Sequence, residues 1–507
     1  MAQRGGGDTT QFLFVPHARP RTRRYVIALA SGFWTFCLGC TVLSVLFDII
    51  GSGSLLTLIG SPVVVAAALV PNILLALAIP RLQRHQRTHR YVLLGAFLAG
   101  AIVAIPPALI LNTLLFAPAE LLGAQLLAMG TIPGVVEEGI KGAVLLFIFF
   151  VHRDQFHDPV DGVVIGALIG LGFAMTEDIS YFLRGLSSGG VFGLVLTIVL
   201  RVLLGWMNHS VFTASFGAAL GFARIGPPGV RRVALGVGGY AVAAGLHNTF
   251  DFTATLLDRL APANLAGLLL KIVPLYGLTW TAAAVLGFAV AYGWHREAQL
   301  IREELLPEVA TGVVTPEEYA ALPDTGRRRA MLRAAAAHGK AARSRLDKLF
   351  QLEIALAFQR RHAAHGDRPG VPELHSVEAL RARIRALRAP TNAAPWPPPP
   401  PAALPLSVPP APLRLTVTSG AQAGASAPLA HGLTIGRNPA RAAFLLHDPQ
   451  VSGLHARVEQ NGGLPILVDA GSTNGTYVNA QRVTRQILRP GDRVVLGASD
   501  LEVTNDE

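Results

Sequence analysis

The stretch "GVVEEGIKGAVLLFIFF", residues 134–150, sets two adjacent carboxylates and an ammonium directly before a run suited to the middle of a lipid bilayer. Residues three and four apart share a helix face, so Glu137 and Glu138 both lie near Lys141. An ionised residue at the bilayer centre costs roughly 2.5–3.5 kcal/mol even on the gentlest scale. Such groups must face one another or a water-filled cavity. The stretch therefore predicts a polar site inside a membrane bundle.

The 507-residue chain around it is 51% hydrophobic and only 15% charged, with a mean hydropathy of +0.44. Soluble domains carry about 25% charged residues, so much of this chain belongs in lipid. A span needs about 20 apolar residues. About eight runs qualify: 25–49, 57–80, 91–116, 122–151, 160–183, 190–223, 233–256 and 265–294. Pro62 and Pro71 predict a break in the second run. The sixth reads as a tilted helix or as a span plus an interfacial turn. Residues 1–24 are polar to basic and lack a signal-peptide layout, and the first apolar run is long enough to span.

The net charge is +11. Arginines cluster before the first run (Arg19, Arg21, Arg23, Arg24) and before the third (Arg81, Arg84, Arg87, Arg90). Arg153, and then Arg224, Arg231 and Arg232, fill two later loops. The loops between them, such as "GSGS" and "LFAPAE", are nearly free of arginine. These are topology signals and predict both termini in the cytoplasm; no nucleic-acid partner is expected. Cys37 and Cys40, alone within an apolar helix, read as packing residues rather than a redox or zinc pair. The bias towards Arg, Ala, Gly and Pro suggests a bacterium of high GC content.

After the last span the chain turns soluble. "TPEE", 315–318, predicts a helix start with Thr315 as N-cap, Pro316 at the first position and Glu318 reaching back. Residues 326–365 read as one long basic helix, and Ser376 starts another that ends near Arg388. "APWPPPPPAALPLSVPPAP", 394–412, is an extended spacer. From Leu413 short apolar runs punctuated by Gly, Asn and Asp predict an all-β domain.

Polar residues recur inside four spans: Glu137, Glu138 and Lys141; Glu177 of "FAMTED", four residues after Phe173; His209 of "GWMNHS"; His247 and Asp251 of "HNTFD". At a rise of about 1.5 Å per residue, Glu137 falls near mid-membrane, Glu177 and Asp251 in the outer half, and the histidines between. Glutamates, histidines and an aspartate at these spacings suit a metal or acid–base centre, and a His and a carboxylate one turn apart can hold one ion together. A metal would activate water; without one, a desolvated Glu beside a His can act as general base. A transporter, a proton path or a bundle held by ion pairs would use the same residue types. The whole set favours a site.

"EEGIK", "FAMTE", the lone His209 and "HNTFD" resemble, in order, the motif series of the PrsW family of bacterial intramembrane proteases, with a more distant similarity to type II CAAX prenyl proteases. The resemblance spans roughly 25–294. It implies cleavage of a membrane-anchored regulator such as an anti-sigma factor, with Glu137 and Glu138 as catalytic carboxylates. Glu177, His209, His247 and Asp251 follow as ligands or partners, and Lys141 and Phe173 as supports. A divalent metal such as zinc would sit on Glu138, His209, His247 and Asp251. Asp178 stands where relatives often have Asn.

In the tail, "TIGRNP", "VSGLHA", "DAGSTNGTYVN" and "LRPGDRVVLG" together resemble a forkhead-associated (FHA) domain, a β-sandwich reader of phosphothreonine. A guanidinium, hydroxyls and an amide can converge on a phosphate. The resemblance implies that Arg437, Ser452, Thr473 and Asn474 contact the phosphopeptide, while Gly436, His455 and Gly475 support the loops. Gly453 departs from the polar or basic residue common there.

The expected fold is thus multi-domain: an α-helical polytopic membrane bundle, cytoplasmic helices and an all-β FHA sandwich. The expected boundaries are a cytoplasmic tail 1–24, a protease domain 25–294, a helical region 295–390, a linker 391–412 and an FHA domain 413–507. The expected setting is the bacterial cytoplasmic membrane. The expected partners are a membrane-anchored protein substrate, a phosphothreonine-containing protein and the lipid bilayer. The competing reading is a non-catalytic adaptor or an ion or solute carrier that docks phosphoproteins.

Overall fold

The computed structural model describes residues 20–226, 229–260, 264–364, 376–388, 413–419, 422–461, 464–488 and 490–505. The expected linker and most of the N-terminal tail lie outside these residues. The chain divides into two compact units, Met1–Glu297 and Ala298–Glu507.

The first unit is helical: α1 (Pro20–Gly51), α2 (Leu55–Ala78), α3 (Arg90–Leu98), α4 (Ile105–Leu121), α5 (Gln125–Met129), α6 (Ile132–Val151), α7 (Pro159–Ile198), α8 (Asn208–Ile225), α9 (Val230–Leu260) and α10 (Leu265–Ala310), the last running into the second unit. Two π-helical turns, Ala99–Val103 and Val199–Leu204, interrupt the pattern. Among the described residues five segments are long and apolar enough to cross a bilayer: Ser31–Gly51, Leu55–Leu82, Arg90–Leu121, Pro159–Ile225 and Ala266–Val309. The expected count of eight is not reached this way. Helix α6 carries three charges within 20 residues, and α9 has Arg231 and Arg232 at one end and Asp258 and Arg259 at the other.

Three sequence expectations change. Helix α2 is unbroken, with Pro62 and Pro71 inside it; neighbouring helices and local adjustments satisfy the freed carbonyls of membrane helices. The run 122–151 is split between α5 and α6, where Pro133 sits in the first turn of α6. The run 190–223 is interrupted after the π-turn, where the Gly205 amide donates to the Leu200 carbonyl at 2.9 Å, so α8 begins only at Asn208.

Small residues bring the helices into backbone contact. A Cβ on Gly162 would stand 1.9 Å from the Gly217 carbonyl oxygen, and one on Gly170 would stand 2.1 Å from that of His209. Gly166 meets the Thr213 carbonyl in the same way. The i, i+4 glycine face of α7 therefore lies directly on α8, the close approach that small residues allow in membranes. This contact fixes the height of His209 and Thr213 against α7.

In the second unit, α11 (Pro316–Ala321), α12 (Thr325–Ala337), α13 (Lys340–Ala364) and α14 (Val377–Arg388) follow α10. The capping box forms as expected: Thr315 Oγ1 accepts from the Glu318 amide and Glu318 Oε2 accepts from that of Thr315. The long helix expected over 326–365 is two, because the chain turns at His338–Gly339, where Gly339 has φ +106°. Ile301, Leu305, Leu349, Leu356 and Ile384 centre the core. Glu308, Glu318 and Glu353 are buried among Arg360, Arg381 and Arg388.

Residues 413–505 form two sheets. With strands β1 (Leu413–Val417), β2 (Ser426–Pro428), β3 (Thr434–Gly436), β4 (Phe444–Leu445), β5 (Ala456–Asn461), β6 (Leu464–Asp469), β7 (Thr476–Val478), β8 (Gln481–Val483), β9 (Arg485–Ile487), β10 (Arg493–Leu496) and β11 (Ser499–Asn505), the orders are β2-β1-β11-β10-β7-β8 and β4-β3-β5-β6-β9. Alternate residues of β1 point inward, and Leu415, Ile435, Val458, Leu467, Val494 and Leu501 fill the space between the sheets.

Candidate functional site

Helices α4, α6, α7, α8 and α9 bring the membrane-embedded polar residues into one cluster. Glu138 is fully engaged. Its Oε1 lies 2.5 Å from Lys141 Nζ and 3.1 Å from His247 Nδ1, and its Oε2 accepts from Thr213 Oγ1 at 2.8 Å. Lys141 Nζ also stands 3.2 Å from His209 Nδ1 and 3.8 Å from Glu137 Oε2, over the Phe173 ring at 4.3 Å. The other ring nitrogen of His209, Nε2, lies 2.7 Å from Glu177 Oε2. The His209 and His247 rings meet edge to face, 5.0 Å between centroids. His247 Nε2 faces Asp251 Oδ2 at 3.4 Å and Glu137 Oε2 at 3.8 Å. Glu137 Oε1 accepts from Asn112 Nδ2 at 3.1 Å, while its buried Oε2 has no hydrogen-bond partner.

All six residues expected at the centre, with Lys141 and Phe173, are thus brought together. Of the expected metal set Glu138, His209, His247 and Asp251, the two histidines group with Glu137 here rather than with Glu138 or Asp251. Glu137, His209 and His247 offer donor atoms within 4.8 Å of one another, whereas the Glu138 oxygens are held by Lys141, His247 and Thr213. A cavity of about 970 Å³ opens onto this cluster, with Glu137, Glu177, Arg201, His209, His247 and Asp251 on its wall.

Sequence reasoning missed four contributors. Arg201 donates from Nη2 to Glu177 at 2.8 Å and from Nε to Asp178 at 2.5 Å, and its guanidinium lies over the Tyr181 ring at 3.9 Å. It sits on the π-helical turn Val199–Leu204, the kind of helix defect that recurs at functional sites. The signal was one arginine inside an apolar run. Asn72, which donates to Asp178 at 3.3 Å, Asn112 and Thr213 gave no signal that sets them apart from ordinary polar residues in a span.

The loops of the β-sandwich form a second site. The Thr473 amide donates to Ser452 Oγ at 3.0 Å, and the Ser452 hydroxyl reaches Thr473 Oγ1 at 3.4 Å. Asn474 Nδ2 donates to the Gln450 carbonyl at 2.8 Å and ties the two loops together. Arg437 is exposed, and its Nε donates to the Val451 carbonyl at 3.1 Å. His455 is buried beneath them. Its Nδ1 accepts from the Ser452 amide at 3.1 Å and its Nε2 donates to the Gly475 carbonyl at 3.2 Å. Both contacts suit a neutral ring, and burial pushes its pKa down. Burial pushes the Asp469 carboxyl up, but hydrogen bonds from Ser472 and Thr476 outweigh it and hold the group below its usual range. Gly436 is required by the approach of Gly453, whose carbonyl oxygen would lie 2.4 Å from a Cβ. Gly475 is required by its φ of +84°.

Residues 88–279 match the family model of the PrsW family intramembrane metalloproteases, and residues 433–497 match that of the FHA domain. The protease PrsW of Geobacillus kaustophilus is 36% identical over 90 residues, 18% of this chain and 36% of that protein. The oxoglutarate dehydrogenase inhibitor of Corynebacterium efficiens is 42% identical over 84 residues, 16% of this chain and 58% of that protein. The chain therefore spans about a third and somewhat over half of these two relatives. A solved FHA domain, from work on phosphothreonine-dependent FHA interactions, is 34% identical, covers 19% of this chain and 98% of its own, and gives a TM-score of 0.18.

Proposed function

We propose that this chain, in which a PrsW-family membrane domain is fused to an FHA domain, hydrolyses a peptide bond of a membrane-anchored protein such as an anti-sigma factor and holds a phosphothreonine-bearing partner through its tail. The bundle would lie in the bacterial cytoplasmic membrane with both termini in the cytoplasm, as the arginine loops suggest. The observation that carries the protease reading is the unsatisfied Oε2 of Glu137, aimed with two imidazoles at one cavity.

The donor set fits a divalent cation such as zinc. Two imidazoles and a carboxylate are a common catalytic set; His247 turns Nδ1 to Glu138 and would offer Nε2, while His209 turns Nε2 to Glu177 and would offer Nδ1 in place of its contact with Lys141. Glu137, His209 and His247 would hold the ion. When bound, it supplies a water of lowered pKa and polarises the scissile carbonyl. Asp251 Oδ2, on the cavity wall beside His247, takes the proton of the attacking water. Glu138 and Lys141 hold His247 and His209 in place. Arg201 does the same for Glu177, so that the Glu177 carboxylate stays aligned on His209.

The test is to co-express the full chain with candidate single-span regulators and follow their fragments. Fragments that appear with the native chain and vanish with Glu137→Gln, while the variant still accumulates in the membrane, support the proposal. Equal cleavage by both would end it and favour the adaptor reading.

A further inference from the structure

Helix α8 begins in a buried place. It follows the π-helical turn Val199–Leu204 and the break at 205–207, and Gly205, Trp206, Asn208 and His209 lie on the cavity wall. The first amides of a helix have no acceptor within it and carry the positive end of its dipole. Here the Asn208 amide donates to the Gly205 carbonyl at 3.0 Å and the Val211 amide to that of Met207 at 2.7 Å. The Asn208 side chain caps nothing. The residue is 8% exposed, its Oδ1 is buried without a hydrogen-bond partner, and its Nδ2 donates to no atom among the described residues. A buried amide left unpaired at both ends costs free energy. On a cavity wall, at a helix N-terminus, it points to a ligand that pairs with it.

Gly239 of α9 packs on Ala219 of α8, and further along the Phe212 ring stacks on that of His247, 5.2 Å between centroids, so the two helices run antiparallel. Asn208 lies one turn before Phe212, and Asp251 one turn after His247. Both steps lead the same way, which sets Asn208 level with Asp251 on the cavity wall. Neighbouring donors are already committed: Lys141 to Glu138 and His209, Arg201 to Glu177 and Asp178, Asn112 to Glu137. We infer that Asn208 is a further catalytic residue, whose Nδ2–H donates to the scissile carbonyl oxygen as it becomes an oxyanion. The inference rests on the peptidase reading and deepens it. As water attacks the carbonyl carbon, Asp251 takes a proton of the water and the C=O π pair moves onto the oxygen. Asn208 and the helix N-terminus hold that charge. The pair then returns, the C–N bond breaks, and the leaving nitrogen takes the proton from Asp251. A fixed neutral donor binds the oxyanion far better than the neutral carbonyl, so its effect falls on the rate rather than on substrate binding.

The experiment uses the full chain purified in detergent and the single-span regulator that the co-expression test identifies as cleaved. Asn208→Leu, similar in volume but without a donor, should lower kcat by about 10²–10³-fold, the range for losing one oxyanion donor, and leave KM unchanged. Asn208→Ala, which removes the donor without adding bulk, should do the same. Both variants should keep the native content of divalent cation, and Asn208→Leu should not melt below the native chain, because it removes an unpaired polar group. A fluorescent phosphinate peptide of the cleaved sequence, which presents a tetrahedral anion, should bind both variants more weakly than the native chain. Native kcat in both variants overturns the inference alone. A loss that comes with a lower melting temperature, a raised KM or missing cation in both variants also overturns it, because Asn208 would then serve the fold. A native chain that cuts no regulator ends the peptidase reading and the inference with it.

Discussion

The two sites handle charge in opposite ways. In the membrane unit Lys141 touches Glu138 and His209, Arg201 binds Glu177 and Asp178, and Asp251 lies against His247. One carboxylate oxygen of this cluster, Glu137 Oε2, is left without a hydrogen bond. Among the described residues of the β-sandwich, Arg437, Arg441 and Arg482 stand exposed without a carboxylate partner. The difference follows from the surroundings. In lipid an unpaired charge is costly, so the charges of this cluster face one another, and the oxygen of Glu137 without a hydrogen bond lies on the cavity side. In water pairing is worth little, so a lone guanidinium gains meaning only from its position beside the Ser452–Thr473 pair.

The largest expected effects strike the membrane cluster. His247→Ala, like Glu137→Gln, should lower cleavage by about 10²–10⁴-fold, the range for losing a group that acts in the transition state. The protein should still accumulate in the membrane, and its bound divalent cation, measured by elemental mass spectrometry, should fall as well. A His247→Ala chain that cuts at the native rate would break the comparison, because the cluster would then be only a set of ion pairs. Next comes Arg437→Ala, expected to weaken phosphothreonine peptides by about tenfold to a hundredfold, the worth of a hydrogen bond to a charged group. Unchanged affinity would mean that the exposed arginines do not read phosphate.

How far each site could be read from sequence reflects the same contrast. Glu137, Glu177, His209, His247 and Asp251 stood out because lipid forbids them without a reason, and i, i+4 spacing put His247 and Asp251 on one face. Arg201 escaped because its run was read as a tilted helix or a span plus an interfacial turn, with no site assigned to it, and a π-helical turn leaves no plain mark in an apolar sequence. Which glutamate keeps a free oxygen was also hidden. Adjacent residues on a helix point some 100° apart, and only the placement of Thr213 and His247 shows that Glu138 faces its partners and Glu137 the cavity. In the tail the motif order disclosed the loops, whereas the neighbours of Arg482 depend on hairpin geometry. The single helix expected over 326–365 failed at Gly339, a left-handed turn within an otherwise helix-favouring run.

A smaller effect tests whether backbone contact sets the membrane site. Gly166→Val should force α7 away from the Thr213 carbonyl, which a Cβ would approach to 2.7 Å. Overpacking of this kind costs about 1–3 kcal/mol. The purified variant should melt several degrees lower in detergent and lose cleavage although no polar residue has changed. Full stability and activity would show that Thr213 and Glu138 do not depend on that approach.

The smallest effect separates the tail from the bundle by pH. His455 has its pKa lowered in the folded domain, whereas an unfolded histidine titrates near 6.5. The unfolded chain therefore takes up the proton first as pH falls. The stabilisation from a neutral His455 is complete above about pH 6.5 and drains away as pH drops toward the lower folded value. A proton on Nδ1 would also confront the Ser452 amide, which now donates to that atom, and so loosen the hydroxyl pair above it. Asp448 and Asp469 are likewise held below their usual range. As carboxylates, however, they begin to lose stability only near pH 3.9 and below, which leaves a clear window above. The melting temperature of residues 413–507 should fall between pH 7.5 and about pH 5, and phosphopeptide affinity with it. His455→Gln should start lower and lose most of that slope. A native melting temperature that stays flat across the window would show that the ring accepts a proton without disturbing Ser452, and the loop support assigned to His455 would have to lie elsewhere.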